Sequence, residues 1–181
     1  IPGGFGKRGA EGKIMVAGYC REHNIPFLGL CYGFQMAVIS FAREVCGLKE
    51  ANSTETIPGC CEPVIDLLPE QMDIISLGGN MRLGGHDVEL KPGTIAFKIH
   101  GKKKTVRRRF RHRWELNPQY IECLEKKGMV FSGKAPKQPI MQVLELPKHK
   151  FYMASQYHPE LTSRPLNPDP LFLNFVKAAR G

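Results

Sequence analysis

Apolar residues along the chain fall into two kinds of segment, and their order describes an alternating architecture. Pro26-Phe27-Leu28-Gly29-Leu30 is a short unbroken apolar run, the pattern of a strand buried on both faces. On either side the spacing changes to that of helices. Ala10 to His23 carries Ile14, Val16 and Ala17, and Gln35 to Leu48 carries Met36, Ile39, Phe41 and Val45. Ala51 to Glu62 is polar and reads as a loop, followed by a candidate strand at Pro63 to Leu68. Gly78 to Gly85 is glycine-rich, carries Arg82, and is expected to form a mobile loop. Val88 to Leu90 and Thr94 to Ile99 read as antiparallel strands about a Lys91-Pro92-Gly93 turn. Asn117 to Lys127 reads as a short helix closed by Gly128, and Leu171 to Ala179 as a terminal helix. Further strands fall at Met129 to Gly133, Ile140 to Leu146 and Phe151 to Tyr157. The pattern predicts an α/β domain: a central, mostly parallel sheet flanked by helices, with an antiparallel extension.

The candidate chemistry lies at the ends of two of these strands. Gly29-Leu30-Cys31-Tyr32-Gly33 is a G-x-C-x-G turn squeezed between a strand end and a helix start. Glycines there allow a backbone approach that a side chain would block. A cysteine at such an elbow is exposed to a helix N-terminus, which is expected to favour its thiolate. The backbone N–H of Tyr32 is placed to donate to an oxyanion. Near the other end, His158-Pro159-Glu160 offers a base and a carboxylate to orient it. In a sheet of this type both Cys31 and His158 belong at the carboxyl ends of strands.

Composition sets bounds on function. The 181 residues, 42% hydrophobic and 24% charged, suit one soluble domain with its own core. No apolar run is long enough to span a membrane, and the first residues do not resemble a signal peptide. Six cysteines without zinc spacing, at positions 20, 31, 46, 60, 61 and 123, suggest free thiols in a reducing cytoplasm. The net charge of +9 is concentrated in Lys102-Lys103-Lys104 and Arg107 to Arg113. That run suits a solvated loop or edge strand, a phosphate-bearing ligand, or a nucleic acid, though no nucleic-acid motif surrounds it.

Several blocks then carry a family resemblance. Pro2-Gly3-Gly4-Phe5-Gly6-Lys7-Arg8-Gly9, the segment from Pro26 to Gln35, and Gln156-Tyr157-His158-Pro159-Glu160 resemble the oxyanion loop, nucleophile segment and base segment of the class I (triad) glutamine amidotransferases. Ala51 to Glu55, Gly78 to Gly84 and Arg111-His112-Arg113-Trp114-Glu115 resemble stretches of one branch, in which the glutaminase is fused to a nucleotide-aminating synthase domain. Tyr32 departs from the Leu usual after the nucleophile. The resemblance implies a flavodoxin-like class I amidotransferase domain over residues 1–181, with its opening strands and the whole synthase domain outside this sequence.

Further implications follow from the resemblance. The catalytic residues would be Cys31, His158 and Glu160, with Gly4 and Tyr32 forming the oxyanion hole. Gly3, Phe5, Gln35, Glu55 and Arg113 would bind L-glutamine, and Arg8, Arg82 and Arg111 would face a GTP effector or lid. No cofactor or metal is expected for the glutaminase step. ATP, Mg and GTP are expected for the full-length enzyme, a cytoplasmic homotetramer that aminates UTP to CTP without contacting nucleic acid or membrane. The alternatives are a γ-glutamyl hydrolase-like thiol enzyme and, from a different class, a basic nucleic-acid-binding module.

Overall fold

The computed structural model describes residues 1–68 and 81–181. Helix α1 (Ala10–Glu22) leads through Asn24 into β1 (Phe27–Leu30), and α2 (Tyr32–Glu44) follows after Cys31. Then come β2 (Ala51–Ser53), β3 (Glu62–Asp66), β4 (Arg82–Leu90), α3 (Ile95–Ile99), β5 (Thr105–His112) and β6 (Glu115–Leu116). A 3-10 turn and α4 (Ile121–Lys126) lead to β7 (Val130–Lys134), β8 (Met141–Glu145), β9 (Tyr152–Ser155), a second 3-10 turn (Pro159–Leu161) and α5 (Pro170–Ala179).

Six strands form the main sheet in the order β1-β9-β8-β7-β4-β5, and β2-β3-β6 form a small second sheet. The α/β class holds, but the main sheet is more antiparallel than the sequence pattern suggested. Among the described residues only β1 and β9 pair in parallel there, with Phe27 opposite Tyr152 and Leu30 opposite Ser155. Helices cover both faces. Tyr152 and Ala154 of β9 join Phe34, Ile39 and Leu144 in one core, while Met153 joins Leu28, Leu30, Val143 and Leu171 in the other. That alternation is the two-residue period of a strand buried on both sides. α2 is buried from Tyr32 through Ala42, so it is the helix around which the first core is built.

Four sequence expectations need correction. Thr94 to Ile99 is not a strand. Thr94 caps α3 by accepting from the Phe97 N–H at 3.2 Å, and the buried Glu145 carboxylate accepts from Ile95 N and Ala96 N at 2.8 and 2.9 Å. Ala51 to Ser53 is a buried strand rather than loop, because it pairs in parallel with β3. Arg82 to Gly85 begins the long strand β4 against β5; Gly78 to Asn80 lie outside the described residues. Val16 is half-exposed, whereas Ile14 and Ala17 are buried. The arginines from Arg107 to Arg111 lie on the edge strand β5, while Lys102 to Lys104 precede it. Arg107, Arg109 and Arg111 point outward while Val106, Phe110 and His112 are buried, an arrangement that discourages edge-to-edge pairing.

Candidate active site

The elbow is built by close contact. A Cβ on Gly29 would lie 2.6 Å from the Gly33 carbonyl oxygen, and one on Gly33 would collide with the carbonyl oxygen of Ile1. Both positions therefore exclude any side chain. Between them Cys31 is held at φ 51, ψ −99, a conformation rare for a residue with a Cβ. Its N–H donates to Ser155 O at 2.7 Å, extending the β1–β9 pairing by one residue. Because those strands are parallel, their carboxyl ends lie together, and the chain leaving β9 brings His158 to the same edge.

His158 is fixed from both ends. Its N–H donates to Arg109 O at 2.9 Å, and its Nδ1 lies 2.6 Å from Glu160 Oε1. With a carboxylate as acceptor, Nδ1 carries the proton and Nε2 is left basic. Nε2 is buried and has no hydrogen-bond partner among the described residues. Gly3 closes the space: a Cβ there would lie 2.9 Å from His158 Cε1 and 3.8 Å from Cys31 Cβ. Nucleophile segment, base segment and glycine loop thus converge.

The Cys31 thiol does not rest as a thiolate. Burial pushes it up to about 12, ahead of the opposing Tyr32 N–H; the charges of Glu160 and Glu115 push the same way as burial, and the Gln156 amide opposes them. The helix N-terminus is present as expected, but desolvation outweighs it. The sulfur at rest is a thiol, and its proton must be removed by a base during reaction.

A cavity of about 610 Å³ opens over this edge. Gly3, Gly4, Phe5, Cys31, Gln35, Glu55, Arg111, Arg113 and His158 all line it, together with Met81, His112 and Trp114. Every residue expected to bind the substrate is therefore on its wall. Glu55 also latches the glycine loop, accepting from Gly6 N at 2.8 Å. Its carboxyl is raised by burial, against the Gly6 N–H and the nearby Arg113. Gln35 donates to Trp114 O at 2.9 Å, which leaves its buried Oε1 without a partner among the described residues.

Tyr32 contributes more than its backbone. Its hydroxyl donates to Gly6 O, and its ring lies under Gly4, where an added Cβ would sit 3.5 Å from Cδ1. The unusual residue after the nucleophile thus supports the glycine loop, a role that its position alone does not signal.

The three arginines assigned to an effector or lid separate. Arg111 lines the cavity, and Arg8 is exposed on the turn before α1, outside the cavity wall. Arg82 pairs with the fully buried Glu115, Nε to Oε1 at 2.9 Å. His112 Nε2 lies 2.8 Å from the same oxygen, without hydrogen-bond geometry. Burial raises Glu115, but His112 and Arg82 together outweigh it and hold the carboxyl below its ordinary value. This buried node anchors the β5–β6 turn that carries Arg113 and Trp114. Among the described residues there is no cluster of side chains fit for a metal ion, and no helix is long and apolar enough to cross a membrane.

Comparison with known proteins agrees with the geometry. The family model for glutamine amidotransferase class-I matches residues 1–178. The CTP synthase of Thermococcus gammatolerans is 55% identical over 181 residues, covering 99% of this chain and 34% of that protein. That of Archaeoglobus fulgidus is 56% identical over 179 residues, covering 99% and 34%. A solved structure of the Trypanosoma brucei CTPS glutaminase domain with bound acivicin superposes with a TM-score of 0.93 at 37% identity, covering 99% of this chain and 69% of that one. The chain belongs to the class I glutamine amidotransferases. Within that family it groups with the glutaminase domains of CTP synthases, and it spans about a third of the length of the curated relatives it matches.

Proposed function

We propose that this chain hydrolyses L-glutamine to glutamate and ammonia through a thioester on Cys31. The observation that carries the reading is the convergence of Cys31, His158 and Glu55 with Gln35 and Arg113 on one cavity. Glutamine binds with its ammonium toward the Glu55 carboxylate and the free Gln35 Oε1, and with its carboxylate toward Arg113. As Cys31 Sγ attacks the side-chain amide carbon, His158 Nε2 takes the thiol proton. The tetrahedral oxyanion is held by the N–H groups of Tyr32 and Gly4. His158 then delivers the proton to the leaving nitrogen, releasing ammonia and leaving the γ-glutamyl thioester. In the second half, His158 deprotonates water, which attacks the thioester and returns glutamate and the thiol. Glu160 keeps the imidazole in the Nδ1–H tautomer throughout and stabilises its cationic form.

In the longer polypeptide, the ammonia passes to a synthase domain that uses ATP and Mg to aminate UTP to CTP, with GTP as effector. Residues 1–181 are read as its glutaminase portion, and the whole as a cytoplasmic homotetramer without nucleic-acid or membrane partners. The glutaminase step itself is written without a cofactor. These assignments rest on the resemblance to CTP synthases over nearly the full chain. The test is ammonia release from free glutamine compared with cleavage of γ-glutamyl peptides. Release from glutamine that Cys31→Ala abolishes supports the reading. Equal activity in Cys31→Ala, or activity confined to γ-glutamyl peptides, overturns it.

A further inference from the structure

Gln156 is fully buried, and it stands two residues before the base without belonging to the triad. Its Nε2 donates to Cys31 Sγ at 3.6 Å. Its Oε1 faces Gln35 Nε2 at 3.4 Å, and its own N–H is fixed by donation to Gln142 O at 2.9 Å. The backbone of Gln156 is therefore fixed on β8, and its side-chain amide lies between Gln35 and the sulfur. We propose that Gln156 is the donor that holds the Cys31 sulfur through the reaction and couples it to Gln35 on the substrate wall, an inference that rests on the glutaminase reading of this site.

The need for such a donor follows from the work asked of the Tyr32 N–H. In the resting enzyme that N–H is the largest influence favouring the sulfur anion. Once the sulfur attacks, the same N–H is required by the oxyanion of the tetrahedral intermediate. A single N–H cannot fully serve both centres. Among the described residues the Gln156 amide N–H has no acceptor besides Sγ, so it remains on the sulfur while Tyr32 turns to the oxygen. It also stabilises the thiolate again when the thioester breaks. The acceptor side of the same amide meets Gln35, whose Nε2 is shared between Gln156 Oε1 and Trp114 O. Substrate contact at Gln35 and the position of the sulfur are thereby linked through one side chain.

The test compares the full chain with Gln156→Met, which keeps similar bulk but has no donor, and with the near-isosteric Gln156→Glu. The rate of Cys31 alkylation by iodoacetamide at about pH 9 is read by peptide mass spectrometry, with exposed Cys61 as internal reference. Steady-state glutamine hydrolysis and melting temperature are measured alongside. At that pH the rate follows the thiolate fraction, so loss of a donor to the anion is expected to lower it about tenfold and to lower kcat about tenfold or more, with a smaller change in KM. Gln156→Glu is expected to lower the alkylation rate further, since it places a carboxylate against the sulfur. An unchanged alkylation rate in either variant, at near-parent melting temperature, overturns the proposal. If the parent hydrolyses no glutamine, the function reading falls, while the alkylation rates still decide the role of Gln156.

Discussion

Gly3→Ala is the sharpest small change available at this site. Gly3 is exposed and outside the left-handed backbone region, so alanine costs the fold little. Its methyl group, however, would stand 2.9 Å from His158 Cε1, where carbon atoms ordinarily approach no closer than about 3.4 Å. The imidazole must then move by about half an ångström. It cannot do so freely, because Nδ1 is held by Glu160 at 2.6 Å and the backbone by Arg109. A misplacement near 1 Å costs about a hundredfold in rate, so this one is expected to lower kcat by roughly 10- to 100-fold with little change in melting temperature. Gly12→Ala, at an exposed position of α1 where an added Cβ meets nothing within 4 Å, is the control, and its kcat should match the parent. Ammonia release from glutamine, followed beside thermal melting, measures both. An unchanged kcat in Gly3→Ala would refute the placement of His158 against the glycine loop.

Four further outcomes are expected. Glu160→Gln should leave the fold intact and lower kcat by about 10- to 100-fold, since an amide can turn its NH2 group toward Nδ1 and no longer offsets the imidazolium charge; steady-state kinetics check this. Arg82→Ala should lower stability in urea by about 3 kcal/mol, because it strips a buried carboxylate of its hydrogen-bonded cation. Glu115 is held below its ordinary value of 4.5, so its contribution is present above that pH and is lost on acidification; urea midpoints of the parent and Glu115→Gln should converge as pH falls. Without substrate, Cys31 should react with iodoacetamide more slowly than exposed Cys61 from pH 7 to 9, gaining reactivity only as pH climbs toward 12. A Cys31 that reacts first at pH 7 would contradict a resting thiol.

The elbow was legible in sequence because its cause is local. Gly29 and Gly33 stand where each backbone meets its neighbour, and only glycine fits. The meeting of Cys31 with His158 was legible from strand order, since both follow the carboxyl ends of strands that the sheet places side by side. What stayed hidden depends on distant partners. Thr94 to Ile99 alternates like a strand, but a carboxylate from β8 supplies acceptors for its first N–H groups and makes it a helix. The thiol's protonation was misjudged because the helix N-terminus is a feature of the local sequence, whereas burial under β5 and the glycine loop is not. Gln156, the Tyr32 hydroxyl and the Glu55 latch on Gly6 are equally silent in the pattern. Each acts across 26 residues or more.

The central claim is that glutamine is opened by the Cys31 sulfur. It is tested most directly by acid-quenching the chain during turnover of isotopically labelled glutamine and mapping the adduct by peptide mass spectrometry. A γ-glutamyl group on Cys31, absent from Cys31→Ala, is the expected result. Continued hydrolysis with no adduct on Cys31, or with the adduct on another residue, would contradict it.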